Sequence, residues 1–144
     1  MNFFSAIVAF HFAEHIAQLI ELYVLGWERM NCLGLLGLWQ PALMRSEWLH
    51  YLYALAMLIG LYYFRPHVKN RWWTTTIYLQ QFHHFEHLLL LLQATLGLKA
   101  TGIGGLWFPR IELHFFYNLV VMIPMILSLR KWSGDSYQNI RPIK

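Results

Sequence analysis

Two short blocks of this sequence carry the same three chemically active residues. His11-Phe12-Ala13-Glu14-His15 and His83-His84-Phe85-Glu86-His87 both read HxxEH. Residues three and four apart share a face of a helix, so His11, Glu14 and His15 project together, as do His83, Glu86 and His87. Gln18 and Glu21 extend the first stripe, and Gln93 stands to Glu86 as Glu21 stands to Glu14. Two further histidines, His50 and His114, are each followed three residues on by a tyrosine, Tyr53 and Tyr117, and Glu47 lies one turn before His50. Imidazole suits iron, copper and zinc, and a carboxylate bridges two such cations well. Three histidines and one glutamate per half therefore form two equivalent ligand sets: His11, Glu14, His15 and His50, then His83, Glu86, His87 and His114. The expectation is a buried dinuclear metal centre, with iron first, copper second and zinc third. Glu14 and Glu86 would bridge the ions or accept ring N–H groups. With Tyr53 and Tyr117 as donors of protons or radical equivalents, they are the candidate catalytic groups. A haem held between two histidines needs only one histidine per helix and leaves the i+4 partners unexplained. The bland alternative is a bundle whose histidines and glutamates satisfy one another across helices; chemistry repeated at matched depth asks for more than packing.

The HxxxH spacing of His11 with His15 and of His83 with His87 resembles the histidine boxes of membrane di-metal oxygenases, of the desaturase and alkane hydroxylase type. The resemblance covers these two blocks and is one of chemistry. It implies histidines on transmembrane helices that hold two metals used to activate oxygen. The HxxEH pattern is also similar to the zinc motif of one metallopeptidase class, in which the glutamate is a general base.

The elements that must position these residues follow from composition. Of 144 residues, 58% are hydrophobic and only 12% charged, against about 25% charged in ordinary soluble domains. That excludes a disordered chain and a disulfide-stapled domain, the latter also because Cys32 is the sole cysteine. Four apolar stretches, residues 3–25, 48–64, 72–98 and 113–129, each reach the roughly 20 residues that a bilayer-crossing helix needs. Continuous runs argue against a membrane barrel, whose strands alternate. The first run lacks a basic start and a small-residue cleavage site, and reads as a retained helix and not a signal peptide.

The histidine blocks belong to a longer internal repeat. GxxGLWxP occurs at Gly34–Pro41 and again at Gly102–Pro109, and Leu25-Gly26 is echoed by Leu96-Gly97. The predicted fold is all-α: an integral membrane four-helix bundle made by tandem duplication of a two-helix hairpin, residues 1–66 and 67–132, with a short tail at 133–144. Two hairpins that enter the bilayer in the same direction are related by a pseudo-two-fold axis along its normal. Pro41 and Pro109 would start the second and fourth spans, since proline suits the first helical turn. At 1.5 Å per residue, His15, His50, His87 and His114 all fall about 8–15 Å below the outer surface.

Seven Lys and Arg residues (Arg65, Lys69, Arg71, Arg130, Lys131, Arg141, Lys144) flank one side of these spans and four (Arg29, Arg45, Lys99, Arg110) the other. The positive-inside rule then puts both termini in the cytoplasm. The net charge of +4 reads as topology and contact with anionic lipid, not nucleic-acid binding. Trp27, Trp39, Trp72, Trp73, Trp107 and Trp132 fall near span ends, as an interfacial belt would. His67 reads as solvated, His84 as peripheral, and Gln80 and Gln81 as supports for the second motif. The expected function is metal-assisted oxidation of a lipid-soluble substrate, with electrons from an external donor. Two alternatives stay open: an accessory subunit of a larger membrane complex holding metal, haem or pigment, and a zinc-dependent intramembrane hydrolase.

Overall fold

The computed structural model describes residues 1–138, with the side chains of Asn2 and of residues 134–138 excluded. Six helices form: α1 Asn2–Tyr23, α2 Gly34–Trp39, α3 Pro41–Met44, α4 Glu47–Phe64, α5 Arg71–Thr95 and α6 Arg110–Gln138. No strand is present among the described residues. The four long helices match the four apolar runs. α4 packs on α5, α5 on α6, and α6 on α1; Phe4 against Phe64 and Tyr53 against Ile7 close the ring between α1 and α4. The α1–α4 and α5–α6 connections cover one end of the bundle, called the upper end below. The α4–α5 loop closes the other, where Asn70 caps α5 through the Trp73 N–H and donates to the Ser128 carbonyl.

Three expectations are corrected in detail. Pro41 starts the one-turn α3, and α4 begins only at Glu47, because the first half has four more residues between proline and histidine than the second. α6 runs to Gln138, well past the expected end at Leu129; Arg130 and Lys131 close an apolar stretch but are good helix formers. Residues 139–144, which include Arg141 and Lys144, lie outside the described residues. Trp73 belongs to no surface belt: it is 1% exposed and donates its indole N–H to the Leu61 carbonyl at 3.0 Å. Trp73→Phe should cost about 1–3 kcal/mol by leaving that buried carbonyl unpaired, read as a lowered unfolding midpoint in detergent.

Two helical stretches are long and apolar enough to cross a membrane, Phe3–Tyr23 and Arg110–Ser133, with mean hydropathies of 1.4 and 1.6. α4 falls short because it has 18 residues and carries Glu47 and His50. α5 has 25 residues but includes Gln80, Gln81, His83, His84, Glu86, His87 and Gln93. The bundle turns Gln80, His83, Glu86 and His87 inwards and leaves Gln81 on the surface. Among the described residues, thirteen buried polar or charged residues face fifteen buried apolar ones, a ratio that an apolar core alone does not produce. They segregate by level. The lower half is an apolar cluster of Val8, Met57, Leu61, Trp73, Ile77 and Met125 with their neighbours, and the upper half holds the histidines, glutamates and glutamines. Large apolar side chains such as Phe3, Phe10, Trp48, Ile59 and Phe116 cover the outside.

Candidate metal centre

Six histidines meet in the upper half of the bundle. On α1, the Nε2 atoms of His11 and His15 lie 3.3 Å apart; on α5, those of His83 and His87 lie 2.9 Å apart. The i, i+4 spacing brings each pair together within its own helix. α4 and α6 contribute His50 and His114, whose rings are 6.0 Å apart. The pairs join across the halves: His114 of α6 lies 5.9 Å from His15 of α1, and His50 of α4 lies 6.0 Å from His87 of α5. A closer approach, 5.0 Å between His87 and His114, joins the two groups. All but the half-buried His11 are at least nine-tenths buried.

Hydrogen bonds set the ring tautomers. His50 Nδ1 donates to the Ser46 carbonyl at 2.9 Å, and His114 Nδ1 to the Arg110 carbonyl at 2.8 Å. A carbonyl only accepts, so these rings carry their proton on Nδ1 and present Nε2 as a bare lone pair. His15 Nδ1 donates in the same way to the Gln18 side-chain oxygen at 3.0 Å. On α5 the Nδ1 atoms of His83 and His87 are buried without a partner. Within each close pair the Nε2 atoms are at hydrogen-bond distance, so one ring donates its Nε2–H to the other; His15, with its proton on Nδ1, accepts from His11.

The glutamates lie elsewhere. Glu14 accepts the Leu36 N–H on both carboxylate oxygens at 3.1 Å, and Glu86 accepts the Gly104 N–H at 2.8 Å. Two turns on, Glu21 accepts the Gly34 N–H and Gln93 accepts those of Thr101 and Gly102. These are matched positions in the two repeat blocks. Each loop is thus sewn to the helix beneath it by two side chains, of which the sequence assigned Glu14 and Glu86 to the metal. No glutamate hydrogen-bonds a histidine among the described residues. Glu86 Oε2, however, is buried and unpartnered.

The loop glycines make this seating possible. Gly26, Gly34, Gly97 and Gly102 all have positive φ, between 64° and 72°, where an L side chain is strained. A Cβ at Gly34 would collide with the Glu14 carboxylate, and one at Gly102 with that of Glu86.

The tyrosines flank the pairs. Tyr53 stacks on His11 with ring centroids 4.0 Å apart, and Tyr117 tilts over His83 at 5.4 Å. Gln80 donates to the Ala54 carbonyl, and Gln81 to the Tyr62 hydroxyl on the surface, so neither touches the rings. His84 packs against Tyr51, and His67 is exposed. Gln18 is the supporting residue that periodicity placed on the right stripe without indicating its task.

A cavity of about 310 Å³ leads from the upper end down to His15, His50 and His114. Its rim carries Arg29, Arg45 and Arg110. Arg29 pairs with Glu112 at 2.7 Å, which holds the guanidinium above its ordinary pKa, and Arg110 pairs with Glu47. Among the described residues, no group of three or more His, Cys, Asp or Glu side chains stands arranged for a metal ion; the close ring contacts come in pairs. No family model, no curated protein and no solved structure matches the chain.

Proposed function

We propose that this chain is an integral membrane metalloprotein whose six clustered histidines hold two metal ions. The observation that carries the reading is the tautomer set. His15, His50 and His114 are each held with the proton on Nδ1 by an oxygen acceptor, the arrangement by which proteins present neutral imidazole to a metal. A metal ion would replace the ring-to-ring hydrogen bonds within the pairs and take up the Nε2 lone pairs that the Nδ1-protonated rings present. The Nε2 separations fit the same idea: two nitrogens bound to one ion at 2.0–2.1 Å, at angles between 90° and tetrahedral, stand about 2.9–3.4 Å apart. The pairs measure 2.9 and 3.3 Å.

We take the ligand sets as drawn across the halves, His11 and His15 with His114 and His83 and His87 with His50, because these two contacts are matched at 5.9 and 6.0 Å; the shorter His87–His114 contact then sets the two ions side by side. Glu14 and Glu86 serve this centre through the loops they anchor. Tyr53 and Tyr117 are placed to orient His11 and His83. The four long helices are taken as four spans related by a pseudo-two-fold axis, with both termini cytoplasmic. The apolar exterior and polar interior support this, since lipid is the solvent that rewards that distribution. The ions would supply oxidation chemistry towards a lipid-soluble substrate, with iron first, copper second and zinc third.

The test is direct. The chain is purified from membranes in mild detergent, metal per chain is measured, and the absorption spectrum is recorded. Two ions per chain and no intense band at the blue end are expected. Absence of metal after gentle handling would sink the proposal, and a strong Soret band would replace it with a haem-holding subunit. His15→Ala should lose metal and His67→Ala should keep both ions. Alkaline washing of membranes should leave the chain in the pellet; release into the supernatant would contradict the four-span reading.

A further inference from the structure

The two halves differ around their matched tyrosines. Beside Tyr117 lies a cavity of about 570 Å³ walled by Phe82, Gly104, Leu113, Trp107, Phe108 and Phe116. The matching region of the first half is divided between a space of about 30 Å³ among Phe10, Leu36, Leu49 and Tyr53 and one of about 240 Å³ beside Leu49, Leu52 and Tyr53. In the repeat, Phe10 corresponds to Phe82, Tyr53 to Tyr117, Leu49 to Leu113 and Leu36 to Gly104. Where the first half has the Leu36 side chain, the second half has the Tyr117 hydroxyl and the Leu113 methyls closed on the backbone of Gly104. Glycine is what permits this approach, because a Cβ at position 104 would stand 2.6 Å from the Tyr117 hydroxyl and 2.7 Å from Leu113.

The two hydroxyls differ as well. Tyr53 donates to the Ile7 carbonyl at 3.1 Å. The Tyr117 hydroxyl has no hydrogen-bond partner among the described residues and sits on the wall of the open cavity. Trp107, Phe108 and Phe116 are exposed, so the cavity opens on the apolar flank of the bundle, with Glu112, the partner of Arg29, on its lining. Its size falls within the roughly 300–1,000 Å³ of small-molecule sites, which are mostly apolar with a few placed polar groups.

We propose that this cavity binds one bilayer-dissolved molecule, aromatic in its body and bearing a single oxygen function that hydrogen-bonds the Tyr117 hydroxyl, and that Gly104 keeps that hydroxyl in place by letting it close on the loop backbone. Aromatic walls favour a planar ring through offset and edge-on contacts. Tyr117 lies against His83, so the bound oxygen sits one ring away from the histidine cluster. Only this relation to a reacting centre rests on the metal reading; the binding itself does not. In the first half the Tyr53 hydroxyl is already engaged by the Ile7 carbonyl and the space beside it is smaller, so that half takes no such molecule.

The test uses metal-free chain in mild detergent, with 2-naphthol and naphthalene as probes in equilibrium dialysis and empty micelles as background. One 2-naphthol per chain is expected, bound about 2- to 13-fold more tightly than naphthalene, the yield of one hydrogen bond. Tyr117→Phe should erase that preference and keep naphthalene binding. Gly104→Leu should weaken both probes at least tenfold. Equal affinity for the two probes in the wild-type chain overturns the proposal. So does unchanged binding in a Gly104→Leu chain that melts like wild type. Tyr117→Phe removes only an oxygen, so it remains informative if Gly104→Leu fails to fold. A chain that binds 2-naphthol yet takes up no metal defeats the metal reading and leaves this one standing.

Discussion

Gly102→Ala is expected to be among the most destabilising single-methyl changes in the chain. Its φ of 64° strains alanine, a cost of about 1–2 kcal/mol. The added Cβ also falls on the Glu86 carboxylate. That carboxylate must then leave the Gly104 N–H, and an unpaired buried polar group costs about 1–3 kcal/mol more. Gly97→Ala supplies the control: its φ is 70° but nothing lies within 4 Å of the new methyl. It should show the conformational part alone, about 1–2 kcal/mol. Unfolding of the variants in detergent, followed by circular dichroism, measures both. A Gly102→Ala chain no weaker than Gly97→Ala would mean that the Glu86 seat contributes nothing.

His114→Ala should remove one metal ion per chain and spare the other. With ligand sets crossing the halves, it deprives His11 and His15 of their third partner, while His83, His87 and His50 remain complete. His50→Ala should do the reverse, and the double variant should bind none. Gln18→Leu tests the support separately. It removes the acceptor at 3.0 Å from His15 Nδ1 and should weaken the same ion about 10- to 100-fold. Metal analysis after dialysis against a graded chelator reads all four. Equal loss of both ions from each single histidine variant would replace two crossed sets with one shared centre.

Much of this arrangement was legible in the residues. Four apolar runs located the long helices because a run of that length and character has few other uses. The i, i+4 spacing of His11 with His15 and of His83 with His87 forces each pair together whatever surrounds it. What stayed hidden depended on partners distant in the chain. Glu14 and Glu86 share a helical face with those histidines, yet their carboxylates find backbone amides 22 and 18 residues further on. Nothing in a helical pattern reveals an amide presented by a loop. The tautomers of His50 and His114 depend on carbonyls at Ser46 and Arg110, and every residue type carries a carbonyl. Trp73 was misplaced because tryptophan near a span end suits the headgroup level; only the Leu61 carbonyl, twelve residues back, draws its indole inside. The polarity of α5 misleads in the opposite direction. The side chains that lower its hydropathy are largely those it buries, so an average over the helix describes neither face.

The exchange of Leu36 for Gly104 has a consequence for heredity. In a symmetric dimer of identical hairpins, one codon governs both flanks, and any change that opens one cavity opens its twin. Two hairpins on one chain are freed from that constraint. Each can drift alone, so one side can divide its space while the other keeps it whole.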